Sequence, residues 1–399
     1  MTGVQTCALP ISAFERRRLF IDVTELARTD AKSGIQRVVG QIVSRLYCSA
    51  RTGFEPVAVA LQDGCLKKAV GWLDGQGLLC AHEEPGESIR FAAGDVLLML
   101  DSTWLPYRQF MPIFQQARDR RVPIYTVVYD LLPLQQSEQF VRKGSRLQWY
   151  EDWFHAAVAE SDGLLCISRS VADEVDDYLS RQLKLARKPK LGYWHLGADF
   201  LDHDADHVPA PAIIDLASGP FLLMVGTIEP RKSHALALAA MERLWSSGSD
   251  LRLCVAGKEG WMVSELMARL RNHPQLGRRL FLIESPIDAD LGFLYRNAVA
   301  LLFPSTGEGF GLPLVEAANH GLPILCSDIP VFHEIAGDHA IYLDRRDPGA
   351  VASKIEEMLA RKKSGRLPDS RNMPRLSWEQ SAEALLDVVL ENKWIELVR

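Results

Sequence analysis

The sequence lacks any apolar run near the roughly 20 residues needed to cross a bilayer, so no segment reads as a membrane-spanning helix. Its seven cysteines, at positions 7, 48, 65, 80, 166, 254 and 326, include no C-x-x-C pair. That spacing suggests neither zinc ligation nor a disulfide framework and fits a reducing, cytoplasmic setting. Cys166 and Cys254 sit in apolar runs and read as buried small hydrophobes. Of the ten histidines only His203 and His207 have H-x-x-x-H spacing, and together with His195 they are too irregularly placed to suggest a metal site. Positive charge is not in excess: the formal net charge is −6, which gives no reason to expect nucleic-acid binding as the main business. No short repeat is present.

What is present is a globular composition, 47% apolar and 24% charged, in a chain of 399 residues, about two domains long. The start, "MTGVQTCALPI", has no basic segment and no signal-peptide core. It resembles the conceptual translation of a sequencing adapter. Residues 1–12 are therefore expected to be non-native, with the native chain beginning near Phe14–Arg18.

Short apolar runs then alternate with amphipathic stretches. "LFIDV" (19–23), "DVLLMLD" (95–101), "VPIYTVVYD" (122–130) and "DGLLCIS" (162–168) read as buried strands. "GIQRVVGQIVSRLYC" (34–48) and "SVADEVDDYLSRQL" (170–183) read as helices. "HVPAPAIIDLASGP" (207–220) has three prolines and no helical periodicity, and is the expected linker. The rhythm restarts with "FLLMVG" (221–226), "LRLCVAG" (251–257), "LFLIE" (280–284), "ALLFPS" (300–305) and "PILCSD" (323–328). "DPGAVASKIEEMLARK" (347–362) has an Asp cap and a Pro at the first helical position.

Continuous apolar strands between helices imply parallel sheets covered on both faces. The expected architecture is α/β, with two Rossmann-like doubly wound domains facing a cleft. The first domain spans 13–206 and the linker 207–220. The second domain spans 221–377, and a C-terminal helix within 378–399 crosses back to the first domain.

Ligands in such folds bind at the carboxyl ends of strands. The loop "TGEGFG" follows the strand "ALLFPS", and Pro313 is expected at the first helical position, which puts Glu316 in the first turn. Glu308 and Glu316 can then face one ligand. Gly309 and Gly311 let the backbone approach closely, with N–H groups exposed at a helix N-terminus. Carboxylates accept from hydroxyls and amides suit an oxyanion, which together fit a nucleotide sugar. A lone Glu316 would otherwise read as a helix-start carboxylate favoured by the macrodipole. A second loop, "VGTIEPRK" (225–232), supplies Arg231 and Lys232 at another strand end, as phosphate-gripping groups or as a solvated basic helix start.

E-x7-E within "PSTGEGFGLPLVEAANHGLPILCSD" resembles the signature of glycosyltransferase family 4, retaining enzymes of the GT-B fold. The resemblance extends over about residues 19–392, through "VGTIEPRK", "AGKEGW", "LYRNAVALLFPS" and "EIAGDHAIYLD", and more loosely "SGIQRVV", "YDLLP" and "CISRS". It implies that Glu316 binds the donor ribose, and that Glu308 with the amides of Gly309, Phe310, Gly311 and Leu312 holds the donor sugar. It implies that Arg231 and Lys232 bind the diphosphate in the Gly226 loop, where some members carry an Arg and this chain has Thr227. Lys258 would lie near the nucleotide or be a surface lysine. Gly34 would be the glycine of a loop approaching the donor, or part of an ordinary turn. Asp130 would orient the acceptor or hold the sugar, or cap a turn; Tyr129 stands where relatives often have His. No essential metal or cofactor is implied.

The function implied is retaining transfer of a hexose, mannose from GDP-mannose as the first guess. The acceptor is a hydroxyl of a glycan or lipid-linked acceptor in surface polysaccharide assembly. "RQLKLARKPK" (181–190) would touch anionic headgroups at the membrane inner face, or be a solvated loop. The alternatives are a nucleotide-sugar epimerase and a non-catalytic, degenerate transferase. A glycosidase would also use two carboxylates, but has no use for phosphate-binding equipment.

Overall fold

The structure, a computed structural model, describes residues 17–29, 33–69, 71–73, 79–81, 87–140, 147–183, 188–199, 207–345 and 347–394. The adapter-like tail and His203 lie outside the described residues.

Two sheets organise the chain. The first contains β1 (Arg17–Asp22), β2 (Phe54–Gln62), β3 (Cys65–Lys68), β6 (Val96–Met99), β7 (Ile124–Val128), β8 (Gly163–Cys166) and β9 (Lys190–Tyr193), in the order β3-β2-β1-β6-β7-β8-β9. A separate hairpin pairs β4 (Gly71–Leu73) with β5 (Leu79–Ala81). The second sheet contains β10 (Phe221–Val225), β11 (Arg252–Ala256), β12 (Leu280–Ile283), β13 (Ala300–Phe303), β14 (Ile324–Ser327) and β15 (Ile341–Leu343), ordered β12-β11-β10-β13-β14-β15. Every pairing within it is parallel. Its strands are apolar on both faces because both faces are covered: β13 and β14 are buried at every position. Strand order reverses between β10 and β13, which makes their carboxyl ends the switch point of the sheet.

The Gly34–Cys48 helix begins with a capping box, Ser33 accepting from the Gln36 N–H while the Gln36 side chain accepts from the Ser33 N–H. The expected linker is not free of helix. Pro211–Ala217 forms a short helix with Pro211 in its first turn. Its two buried apolar residues, Ile213 and Leu216, have the i, i+3 spacing that anchors a single face. The Trp378–Glu391 helix, begun by a Ser377–Gln380 capping box, packs on the Gly34–Cys48 helix of the first domain. One apolar cluster runs through both domains, from Leu19, Val39 and Ile42 to Phe303, Phe332 and Leu385. Two further clusters lie on other faces, one in each domain. Among the described residues no helix is long and apolar enough to cross a membrane.

Candidate functional site

The loops after β10 and β13 meet at the switch point of the second sheet. Arg231 and Lys232 do not open an α-helix, as expected, but form a one-turn 3-10 helix, Pro230–Lys232, ahead of His234–Ser246. This turn delivers both cations to one carboxylate. Lys232 Nζ lies 2.6 Å from Glu308 Oε1 and Arg231 Nη1 2.7 Å from Glu308 Oε2. Arg231 Nε also pairs with Glu229 at 2.6 Å, and Arg231 Nη1 donates to the Gly307 carbonyl at 2.9 Å. Lys232 Nζ sits over the Phe303 ring, 4.7 Å from its centroid.

The Glu229, Lys232 and Glu308 side chains are almost wholly buried and Arg231 is largely so, and their charges therefore act through little water. Burial would push the Glu308 carboxyl up, but Arg231 and Lys232 overcome it and hold it at about 2. Lys232 is lowered by burial despite the pull of Glu308. Glu229 is raised by burial, against the pull of Arg231.

The Glu308 loop closes on itself and on the first domain. Gly311, at φ +99°, caps the Leu312–Asn319 helix in the left-handed region that glycine tolerates. Leu312, not Pro313, is the first helical residue, so Glu316 lies in the second turn and not the first. Among the described residues the N–H groups of Gly309, Phe310, Gly311 and Leu312 make no hydrogen bond. Gly309 approaches the opposite backbone: a Cβ there would lie 2.0 Å from the Tyr129 carbonyl oxygen. Its own carbonyl accepts from Ser168 Oγ at 2.7 Å. Phe310 is buried, its ring edge-on to His195.

Glu316 is also buried and faces the first domain. Arg37 Nη1 donates to its Oε1 at 2.9 Å, and Tyr295 Oη donates to its Oε2 at 2.6 Å. Arg37 also lies 3.8 Å from Asp288. Arg37 and Tyr295 were not singled out by sequence reasoning, although both lie in stretches that carry the family resemblance, "SGIQRVV" and "LYRNAVALLFPS".

From the first domain, Asp130 follows β7 and feels the charges of Arg231, Glu308 and Lys232. Burial raises its carboxyl, with Arg231 and the Leu132 N–H pulling it down. Asp130 Oδ1 accepts from Leu132 N at 3.1 Å, so it also caps a turn. The Tyr129 side chain points away from this cluster: its hydroxyl donates to the Leu100 carbonyl at 2.7 Å within the core. Gly34 is the first residue of its helix, with nothing among the described residues within 4 Å of an added Cβ.

Further contacts hold the domains together. Gln136 exchanges hydrogen bonds with Thr306, and Trp261 Nε1 donates to the Gln139 carbonyl. Glu334 accepts from the N–H groups of Arg169 and Ser170 at 2.7 Å each and pairs with His195 at 2.7 Å.

Gly226, at φ +130°, lies beside the Lys232 side chain: a Cβ on it would sit 3.7 Å from Nζ. Thr227 contributes its methyl to the packing against Gly260. Lys258 is half-buried, and its carbonyl accepts from Ile228 N at 2.8 Å. Of the basic stretch, residues 184–187 lie outside the described residues, while Lys190 bonds Asn392 and lies over the Trp394 ring. No group of three or more His, Cys, Asp or Glu side chains among the described residues is placed to hold a metal ion.

Two Rossmann-like domains meeting across the carboxyl ends of their strands, with this charged cluster at the second switch point, define the GT-B class. Residues 215–372 match the family model described as Glycosyl transferases group 1. Over 398 residues it is 38% identical to the serotype-specific mannosyltransferase WbdA of Escherichia coli, an alignment covering 95% of this chain and 47% of WbdA. The chain thus spans about half the length of the curated relatives it matches. Among solved structures it resembles the sucrose-phosphate synthase of Thermosynechococcus elongatus, with a TM-score of 0.61 at 18% identity, covering 94% of this chain and 97% of that one. It also resembles WaaG, a glycosyltransferase involved in lipopolysaccharide biosynthesis, with a TM-score of 0.53 at 14% identity over 94% and 98%. These two likenesses establish the fold.

Proposed function

We propose that the chain transfers a mannosyl residue, with retention at the anomeric carbon, from GDP-mannose to a hydroxyl of a glycan or lipid-linked acceptor in surface polysaccharide assembly. The reaction is placed on the cytoplasmic side, with the acceptor presented at the inner membrane surface. The observation that carries the reading is the cluster of Arg231, Lys232 and Glu308 beside four backbone N–H groups without acceptors among the described residues. The similarity to WbdA supports mannose as the sugar and a surface polysaccharide as the product's destination.

In this reading the diphosphate is received by Arg231, Lys232 and the amides of 309–312, with Gly226, Thr227 and Lys258 lining the same loops. Glu308 accepts from the sugar hydroxyls and Glu316 from the ribose. As the bond between the anomeric carbon and the β-phosphate oxygen breaks, its electron pair stays on that oxygen. The cations stabilise that developing charge, which is where fixed electrostatics contribute most. The acceptor oxygen bonds the anomeric carbon on the same face, and its proton passes to the leaving phosphate. Asp130 orients the acceptor hydroxyl.

A panel of nucleoside-diphosphate sugars tests this by released nucleoside diphosphate. GDP-mannose should be turned over, and Arg231→Ala or Lys232→Ala should lower kcat roughly 100-fold or more. Binding without release would identify a non-catalytic module, and an epimerised sugar nucleotide would identify an epimerase.

A further inference from the structure

We infer that Arg37, supplied by the acceptor-side domain, is a positioning residue of the donor site: it holds the Glu316 carboxylate across the cleft and so ties nucleoside binding to closure of the two domains. The inference rests on the proposed ribose role of Glu316.

The geometry is specific. Arg37 stands one turn into the Gly34–Cys48 helix, whose start is fixed by the Ser33–Gln36 capping box. Its guanidinium reaches Glu316 Oε1 at 2.9 Å, while Tyr295, from the same domain as Glu316, takes Oε2 at 2.6 Å. The carboxylate is 6% exposed and the guanidinium 24%. Such a pair is shielded from screening, unlike an exposed surface bridge.

An ionised carboxylate offers about four lone-pair sites. Arg37 and Tyr295 take one on each oxygen, leaving one on each for two vicinal hydroxyls. Both residues orient the carboxylate, but only Arg37 does so from the opposite domain. Whatever favours the Arg37–Glu316 contact therefore favours closure, and by linkage closure favours the ligand that Glu316 receives. Arg is suited to this task because its planar, always charged fork spans Glu316 and the start of the Asp288–Asn297 helix, where Asp288 lies 3.8 Å away.

The test uses calorimetric binding of GDP, UDP and inorganic pyrophosphate to the full chain, with small-angle scattering of the same samples. Arg37→Ala should weaken the preferred nucleoside diphosphate roughly 10- to 100-fold, in line with loss of a charge-assisted hydrogen bond. Pyrophosphate affinity should stay within about twofold, because Arg231 and Lys232 are untouched. Arg37→Lys should restore part of the loss. In turnover, the variant's defect should appear mainly in the donor KM, and nucleotide-induced compaction should shrink.

Unchanged or tighter nucleotide binding in Arg37→Ala overturns the inference, as does equal loss of nucleotide and pyrophosphate, which would mark Arg37 as a merely structural contact. Glu316→Ala separates the two levels. If it binds GDP and UDP like the unsubstituted chain, the ribose role itself fails. If it binds weakly while Arg37→Ala does not, only the inference about Arg37 fails.

Discussion

At the scale of single residues, burial pushes both Glu308 and Asp130 up, but their net shifts are opposite because of their neighbours. Glu308 is held at about 2 because two cations outweigh its desolvation. Its folded value is therefore below the ordinary value of about 4.3. Its stabilising contribution is present above that unfolded value and is lost as pH falls through about 2. Glu308→Gln leaves Arg231 and Lys232 buried without their shared partner and should cost about 3–5 kcal/mol at pH 7. Denaturant titrations should show the gap between variant and parent narrowing from pH 5 toward pH 2; a constant gap would mean that Glu308 is not ionised by its neighbours. Asp130 is raised by burial, so its ionised form costs stability once pH exceeds the unfolded value near 3.9. Asp130→Asn should therefore melt no lower than the parent at pH 7, while transfer to acceptor falls at least tenfold. A lower melting temperature would recast Asp130 as the turn cap that its bond to Leu132 also suggests.

At the scale of elements, the strands and loops around the site were legible because burial on both faces writes itself as unbroken apolar runs. β10, β11, β12, β13 and β14 fall inside "FLLMVG", "LRLCVAG", "LFLIE", "ALLFPS" and "PILCSD". The Gly34–Cys48 helix matches its amphipathic stretch at both ends. β9 was not legible, since KLGY is a short edge strand only partly buried, nor was β2, whose run is broken by Glu55 and Pro56. The linker helix was hidden by its prolines, of which Pro211 in fact starts it. Contacts made across the cleft were illegible for another reason. Arg37 and Glu316 are 279 residues apart, and no local pattern records such a pairing.

Two glycines turn this into a test of elements. A Cβ at Gly257 would fall 1.9 Å from the Gly226 carbonyl oxygen, within the second domain. At Gly309 it would fall 2.0 Å from the Tyr129 carbonyl oxygen, in the other domain. Gly257→Ala should thus strain the β10 and β11 loops and cost about 1–3 kcal/mol or more of stability. Gly309→Ala should instead push the domains apart, with near-parental denaturant stability, a larger radius of gyration and lost turnover. Equal destabilisation by both would show that the Glu308 loop is fixed by its own domain and not by closure.

At the scale of the molecule, the last described helix belongs physically to the first domain although it follows the second in sequence. Trp378 packs so tightly on Gly197 that a Cβ there would lie 2.4 Å from the Trp378 backbone. Ser381 Oγ donates to the His195 carbonyl, the Trp378 N–H donates to Asp199, and Arg51 pairs with Glu383 and Asp387. Trp378, Ala382, Leu385, Leu386, Val388 and Val389 are all buried. Burying a large aliphatic or aromatic side chain contributes about 1.5–3 kcal/mol, an upper estimate because unfolded chains are already partly compact. The five large residues of this face together rival the whole 5–15 kcal/mol stability of an ordinary domain. Removing residues 377–394 should therefore unfold the first domain and leave the second folded, since the cluster on the other face of the second sheet includes none of these side chains. Hydrogen exchange on the truncated chain would read this directly, through lost protection in β1, β6 and the Gly34–Cys48 helix and retained protection in β10 to β14. Loss of protection in both sheets together would mean that the shared apolar cluster makes the two domains one cooperative unit, and nucleotide binding by the second domain alone would then be lost as well.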